Sequence, residues 1–407
     1  MSEPAKKPVG PLADQQPEGY QPRKPEIVSM AAQAQGQTQA QGASQAATAS
    51  GGSGGSRRIP NVPVFYYDGT NAGFFNTLLA AALQSLGEEC DRAKLTALSG
   101  EGNRFCWMDG VWHGGCESSE AINETPYETE SRILGAIGWK AEYVIIERDS
   151  SGGYMNTGPA QIRRDFVGSI DQGYPVIARL ARHPESNINL FFGYEDDGKK
   201  IISYDYIKDF EPGVSKHEEY ETVAENNWED NIAGYILLQG KEETASERNT
   251  ALSAFRWISG HARRTAEING KLVGFAAWES YLRMIEHDNF AKLSPKDVWA
   301  RWGIYCDAMG QINERKAALP YYRSLSEQFP AWREELDAAV AALDACVDHL
   351  GSMWAEEFNH ANKKAIIKKF RDPAARKGFA AAGRECMRKD MEAVGCFEAI
   401  LRKEGLI

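Results

Sequence analysis

Residues 73–87 read GFFNTLLAAALQSLG, and this stretch decides the fold of the region around it. From residue 76 to residue 86, small and apolar side chains recur at close spacing, which indicates a helix packed tightly against its neighbours. The apolar run at 78–83 is far shorter than the roughly 20 residues that a membrane-spanning helix needs. We therefore predict that this helix lies in the core of a globular domain.

Short apolar runs downstream predict strands. They are rich in β-branched and aromatic side chains and lie at residues 143–146, 176–180, 189–194, 200–206 and 234–239. The third and fourth runs are joined by a turn that contains Asp197-Gly198, a dipeptide that favours a hairpin. Further short helices are predicted at 90–98, 126–135 and 160–171. The region from about residue 59 to residue 243 is thus a mixed α+β domain.

The rest of the chain shows only helical patterns. Beyond Thr244, apolar residues recur at spacings of three and four. The predicted helices cover 246–268, 272–285, 295–311, 317–329, 331–357 and two segments within 373–401. Ser294-Pro295 and Asp372-Pro373 each combine a capping residue with a proline at an early helical position. We predict an all-helical domain at 244–407.

The N-terminal segment has a different composition. It is rich in proline, then in alanine, glutamine and glycine, and ends in SGGSGGS at residues 50–56. Such a segment buries too little apolar surface to offset the entropy of ordering. We predict that residues 1–58 form a disordered tail and linker, followed by the domains at 59–243 and 244–407.

Charge and cysteine content exclude several classes of protein. The chain has 46 Lys and Arg against 57 Asp and Glu, a net charge of −11. It is therefore a poor match for nucleic acid, whose phosphates bind clustered cations. The seven widely spread cysteines favour free thiols. No apolar stretch follows the early lysines, so we expect a cytoplasmic protein with neither a secretory signal nor a membrane span.

Two stretches resemble a known superfamily. Residues 73–87 resemble the Ala-rich helix that the catalytic cysteine opens in papain-like enzymes, especially the double-glycine peptidases. Residues 187–194, followed by Tyr204-Asp205, resemble the histidine strand and its aspartate partner. Within the superfamily, residues 62–329 resemble the N-terminal domain family of butirosin biosynthesis protein H, an acyltransferase. The resemblance implies an α+β fold in which a helix packs on an antiparallel sheet, followed by a helical domain.

The residues at the matched catalytic positions differ from those of the enzymes. The chemistry needs a thiolate, an imidazole and a group that orients the imidazole, and the matching positions here are Phe74, Asn187 and Asp205. Phenylalanine has no nucleophilic atom, and asparagine cannot accept a proton at neutral pH. A register shift of two or three residues brings Asn76 or Thr77 to the nucleophile position, and neither restores the mechanism. The resemblance thus implies a pseudoenzyme without catalytic residues, unless the match is due to chance.

Our first hypothesis is therefore a binding protein. The cleft between the first helix and the sheet would hold a peptide, a carrier protein or another subunit, without a cofactor. The tail or the helical domain would place the chain within a larger assembly. The predicted binding-cleft residues are Phe74, Phe75, Asn76, Trp107, Trp112, Asn187 and Asp205.

The second hypothesis is an enzyme, a cysteine acyltransferase or peptidase. Cys106 and Cys116 flank His113 within residues 106–116, and either thiol could be activated by His113 or by His183. Four soft ligands for a metal are also present, at Cys90, Cys106, His113 and Cys116. Only His113 and Cys116 have the two-to-four-residue spacing typical of zinc sites, so we expect no metal.

The third hypothesis is a purely structural subunit. It applies if the side chains of Phe74 and Phe75 fill the cleft. In that case exposed aromatic side chains would pair with a neighbouring chain, because Trp and Tyr are common at interfaces.

Overall fold

The computed structural model describes residues 55–64, 74–108, 122–180, 188–204, 221–225, 227–242, 245–355 and 363–407. Residues 1–54 of the predicted disordered tail lie outside these ranges. The last two residues of the predicted linker form the strand β1, Arg57–Arg58. They pair with a later strand through Arg58 and Gly193, so the sheet includes two residues that the prediction assigned to the linker.

The first part of the described chain alternates helices and strands. Its helices are α1 (Phe74–Ser85), α2 (Arg92–Ser99), α3 (Glu128–Ala136) and α4 (Pro159–Asp171). Its further strands are β2 (Cys106–Trp107), β3 (Trp139–Ile145), β4 (Val176–Leu180), β5 (Ile188–Glu195), β6 (Lys200–Tyr204), β7 (Glu221–Glu225) and β8 (Ile232–Lys241). All four predicted helices and all five predicted strands are found here, with ends that differ by a few residues.

Among the described residues, one antiparallel sheet joins strands in the order β3-β8-β4-β5-β6-β7, and β1 pairs with β5 as well. The predicted hairpin of β5 and β6 is confirmed, with Leu190 opposite Tyr204. Its turn places Asp196, Asp197 and Gly198 at φ of 52°, 56° and 82°. Asp and Gly tolerate this left-handed region better than most residues do, so the turn can reverse the chain sharply.

Helices cover both faces of the sheet. Arg179 on β4 forms an ion pair with Glu130 on α3. Tyr235 on β8 lies opposite Ala178, the residue before Arg179, and its hydroxyl donates to Asp165 on α4. Successive residues of a strand point to opposite faces. It follows that α3 and α4 lie on opposite sides of the sheet.

The C-terminal region is helical. Its helices are α5 (Glu247–Ala262), α6 (Gly274–His287), α7 (Pro295–Gly310), α8 (Glu314–Gln328), α9 (Arg333–Ala355), α10 (Lys363–Arg371) and α11 (Pro373–Lys403). The short strand β9 (Leu272–Val273) pairs with β2. The two predicted Pro starts are confirmed, because the side chains of Ser294 and Asp372 cap α7 and α11.

One predicted helix, at 246–268, is too long. The helix α5 ends at Ala262, and Ile268 instead forms an isolated bridge with Lys271. Asn269 and Gly270 between them have φ of 50° and 77°. This Asn-Gly turn favours a tight reversal of the chain. The helix prediction extended too far because Ile268 continues the apolar spacing of α5.

The core of the helical region includes α2. Leu98 on α2 packs in one apolar cluster with Phe255, Tyr322 and Phe397 of the C-terminal helices. The C-terminal helices therefore complete their core with a helix from the first part of the chain. None of the helices within the described ranges has both the length and the apolar character needed to cross a bilayer.

Candidate functional site

The three matched catalytic positions border described elements. Phe74 is the first residue of α1, Asn187 directly precedes β5, and Asp205 directly follows β6. Asn187 and Asp205 lie outside the described residues. Because Leu190 pairs with Tyr204, the start of β5 and the end of β6 lie side by side. We call the border of the sheet where these two strand ends lie the sheet edge.

Several other candidate residues lie outside the described ranges: Trp112, His113, Cys116 and His183. Their pairing with Cys106, which the enzyme hypothesis requires, stays a prediction. Within the described residues, no group of three or more His, Cys, Asp or Glu side chains is arranged to hold a metal ion.

The first turn of α1 is built into the interior. Phe75 is 2% exposed and belongs to the sheet core. Asn76 is fully buried, and its Nδ2 donates to Ser99 Oγ at 3.0 Å and to Glu101 Oε2 at 2.5 Å. Buried amides are usually held in this way, because an unmet polar group in the interior is costly. The polar side chain nearest the expected nucleophile position therefore ties α1 to the end of α2.

A tight turn brings Glu101 to α1. Gly100 follows α2 with φ of 80°, a conformation that favours glycine. The next N–H, that of Glu101, donates to Ser99 Oγ at 3.1 Å. The turn places the Glu101 carboxyl against Asn76 of α1. We name Asn76, Ser99 and Glu101 the α1 cluster.

The Glu101 carboxyl has an unusual proton affinity. Burial raises its pKa to about 7, the Arg104 and Arg92 cations oppose this shift, and the Glu314 and Glu130 carboxylates reinforce it. A carboxyl that is protonated close to neutral pH is a feature of functional sites as well as of buried networks. Here the carboxyl has no solvent exposure and accepts a hydrogen bond from Asn76. Its role in the described structure is therefore to hold α1 in place.

Two ion pairs surround the α1 cluster. Arg92 on α2 donates to both carboxylate oxygens of Glu314 on α8 at 2.7 Å. On the sheet side, Arg179 lies 3.1 Å from Glu130, whose other oxygen accepts from Asn123 Nδ2 at 3.0 Å. Bidentate and buried pairs of this kind fix the orientation of the elements that carry them. They join α2 to α8 and α3 to β4.

Cys106 is a buried structural thiol. Its backbone N–H donates to Gln311 Oε1 at 2.9 Å, and its carbonyl accepts from Gln311 Nε2 at 3.0 Å. Burial raises the pKa of the thiol to about 11. Because the thiolate is the nucleophilic form, Cys106 is a weak nucleophile at neutral pH in this environment.

Trp107 lies away from α1, in the core of the helical region. Its ring is 1% exposed, stacks 5.5 Å from Tyr305 and meets Tyr281 edge-on at 5.1 Å. Its indole N–H points to Met284 Sδ at 3.4 Å. The ring is thus a core side chain, and we do not assign it to ligand contact.

Sequence reasoning missed Ser99 and Glu101. The local sequence, Ser99-Gly100-Glu101-Gly102, shows a turn but nothing of the burial that makes Glu101 unusual. No protein-family model and no curated protein matches the chain. The papain-like resemblance, which extends over residues 62–329, therefore rests on its sequence motifs alone.

Glu101→Gln tests the protonation of this carboxyl. Between pH 4.5, its ordinary pKa, and about 7, the folded state holds a proton that the unfolded chain has lost. The free energy of unfolding of the wild type therefore falls as pH rises through this window. Glutamine keeps the shape of the side chain and does not titrate. We therefore expect the free energy of unfolding of the variant, relative to that of wild type, to rise by on the order of 2–3 kcal/mol from pH 4.5 to pH 7.5.

Urea unfolding at half-unit pH steps measures this difference. Glu327→Gln, the same substitution at an exposed side chain of α8, is the control and should show no comparable trend. A difference between Glu101→Gln and wild type that stays constant from pH 4.5 to 7.5 would contradict a raised pKa.

Proposed function

We propose that this chain is a non-catalytic relative of the papain-like cysteine enzymes that binds a peptide, a carrier protein or another subunit within a larger assembly. The first turn of α1 carries the proposal. There, where the family places its nucleophile, Phe75 is buried and Asn76 is hydrogen-bonded within the α1 cluster. Neither side chain can attack a carbonyl carbon.

The partner is proposed to bind at the sheet edge where β5 begins and β6 ends. The chain that leads into α1 reaches the same edge, since the Tyr204 hydroxyl donates to the Val62 carbonyl at 3.4 Å. Asn187 and Asp205 adjoin these strands in sequence. The contact between the end of β6 and the chain at Val62 supports this location for the cleft.

A purely structural subunit is the second candidate. It is favoured by Phe75 of α1, which is buried in the sheet core, and by Trp107, which stacks on core aromatic side chains. The cysteine enzyme draws less support, because burial raises the pKa of Cys106 to about 11.

Restoring the missing pair tests both the register and the binding role. In Phe74→Cys with Asn187→His, a papain-like register places the new thiol beside the new imidazole, with Asp205 behind it. We expect the pKa of that thiol to fall below about 7.5, since an adjacent imidazolium stabilises the thiolate. The rate of iodoacetamide alkylation against pH, followed by peptide mass spectrometry, reports this pKa. Burial raises the pKa of Cys90 and of Cys106 to about 11, so both react slowly at pH 7.

The same reaction also reports the partner. In the assembly isolated from the native cells, a partner bound at this edge should slow alkylation of the new thiol several-fold compared with the purified chain. Ser85→Cys, at the opposite end of α1, is the control for both measurements. An unshifted thiol pKa in the double variant would overturn the papain-like proposal. A lowered pKa without protection would favour the structural subunit over the binding protein.

A further inference from the structure

The helix α10, with the sequence KKAIIKKFR, has an apolar side and a basic side. Ile366 and Phe370 lie one turn apart, are 1% and 2% exposed, and pack into the core of the helical region. Lys364 and Lys368 also lie one turn apart and are exposed. Residues four apart share a side of a helix, so the core holds one side of α10 while the lysines of the other side face solvent.

The start of α7 extends this basic surface. The Arg371 guanidinium donates to the Leu293 carbonyl at 2.7 Å, and the Lys363 ammonium lies 4.9 Å from the centre of the Trp299 ring. The two contacts set α10 antiparallel to the first turns of α7. The exposed lysines on these two elements and on the turn before α7 form what we name the basic patch: Lys292, Lys296, Lys363, Lys364 and Lys368.

The basic patch has little negative charge around it, although the chain as a whole carries a net charge of −11. Residues 290–297 and 363–377 contain nine Lys and Arg against two carboxylates, Asp297 and Asp372. Both carboxylates accept hydrogen bonds at the starts of α7 and α11. Within the described chain, the lysines of the patch form no ion pair, whereas exposed cations on the outer face of α11 pair with glutamates. The patch is therefore available to an external anion.

The side chains of the patch indicate which kind of anion it meets. Protein interfaces have apolar and aromatic centres and contain few lysines. The large apolar side chains that are exposed in the described chain lie outside α7, α10 and the turn before α7. Nucleic-acid sites add arginine or aromatic side chains that contact bases, but the exposed cations of the patch are all lysines. Clusters of four to eight cations on an amphipathic helix are typical of binding to anionic lipid.

We propose that the basic patch docks the protein on a membrane surface rich in anionic lipid headgroups. Because Ile366 and Phe370 stay in the core, the contact is electrostatic and the helix lies on the bilayer without inserting. At about 0.1 M salt, charges are screened beyond about 10 Å, so the carboxylates on other faces of the protein oppose docking only weakly. The proposal is independent of the papain-like register, since neither Phe74 nor Asn187 takes part.

Co-sedimentation of the purified full chain with lipid vesicles tests the proposal. The vesicles contain phosphatidylcholine with about one-third phosphatidylserine, in about 0.1 M NaCl. We expect the chain to bind these vesicles and to stay in solution with vesicles of phosphatidylcholine alone. Raising the salt to about 0.5 M should lower the partition coefficient by about tenfold or more, because salt screens the attraction.

Paired variants locate the contact. Lys364→Gln with Lys368→Gln should lower the partition coefficient by about 30-fold, because each cation near an anionic membrane contributes a factor of about five. Lys199→Gln with Lys241→Gln is the matched control, since it makes the same change in net charge at two exposed lysines of the sheet region. It should change the partition coefficient by less than about twofold. Substitutions at exposed positions seldom affect stability, and circular dichroism should show that both variants are folded.

Several results would overturn the proposal. They are no binding to the phosphatidylserine vesicles, equal binding to vesicles of phosphatidylcholine alone, and equal losses in the two double variants. Binding of the chain to a DNA duplex or to polyglutamate without binding to vesicles would also overturn it, in favour of a nucleic acid or an acidic protein as the partner of the patch.

Discussion

Asp390→Asn is expected to lower the free energy of unfolding by about 3–5 kcal/mol, because it leaves the buried Arg315 cation without its counter-charge. Arg315 on α8 has no solvent exposure. Its Nη2 lies 2.6 Å from Asp390 Oδ2 and its Nε 3.1 Å from Oδ1. The Trp278 indole also donates to Oδ2 at 3.0 Å. Asparagine keeps the size of the side chain but removes the charge and one acceptor oxygen.

The position of this ion pair explains the expected magnitude. Asp390 belongs to α11, Arg315 to α8 and Trp278 to α6. The Arg315 guanidinium also donates to the carbonyls of Arg104 and Gln311 at 2.8 and 2.9 Å. The pair thus joins three helices to the chain just before β2. Removing its charge disturbs all of these contacts at once.

An exposed ion pair on the same helix gives the control. Glu385 pairs with Arg388 on the outer face of α11, and such pairs contribute little. We expect Glu385→Gln to change the free energy of unfolding by less than about 0.5 kcal/mol. Guanidinium unfolding followed by circular dichroism compares the two variants. Similar small effects for both would show that the buried pair does not stabilise the fold.

Gly274→Ala is expected to lower the free energy of unfolding by about 2–5 kcal/mol, because it strains the backbone and overpacks the site. Gly274 opens α6 with φ of 61°. A Cβ there would lie 2.4 Å from the Ala262 carbonyl oxygen and 2.5 Å from that of His261. Both are backbone atoms at the end of α5, so they cannot move aside cheaply. The N–H of Gly274 also donates to the Phe105 carbonyl at 2.8 Å.

Gly135→Ala is the matched control. Gly135 lies within α3, and a Cβ there would meet no atom within 4 Å. Alanine is the better helix former, so the free energy of unfolding of this variant should rise by about 0.5–1 kcal/mol. Thermal and urea unfolding of the two variants should therefore differ in sign. A neutral or stabilised Gly274→Ala would mean that α5 and α6 can separate without loss.

Local signals predicted most of the secondary structure. The Asp197-Gly198 turn indicated the hairpin, and Ser294-Pro295 indicated the start of α7, because each rests on the conformational preferences of neighbouring residues. The predictions failed where contacts between residues far apart in the sequence determine the structure. Arg57 and Arg58 carry no strand signal and become a strand only by pairing with β5. The packing of α2 among the C-terminal helices was also invisible, since helical periodicity shows that a face is apolar without identifying what covers it.

The α1 cluster shows the same limit. The sequence marked the position of α1 and the residues at its start, because the resemblance lies there. It did not mark Glu101, whose raised pKa depends on burial by elements far away in the chain. Nor could it show Arg132 standing over Trp257, because those residues lie on different helices.

The contact between α2 and α8 has a consequence for the synthesis of the chain. Arg92 and Glu314, which join these helices, are separated by 222 residues. At about 5–20 residues per second, the ribosome takes on the order of 10–45 s to produce the second helix after the first. Throughout that interval the apolar side of α2 that includes Leu98 lacks its native contacts with α8 and α11, although α5 is made earlier and can already pack against it. The nascent chain therefore passes through a period in which it is exposed to aggregation and to capture by chaperones.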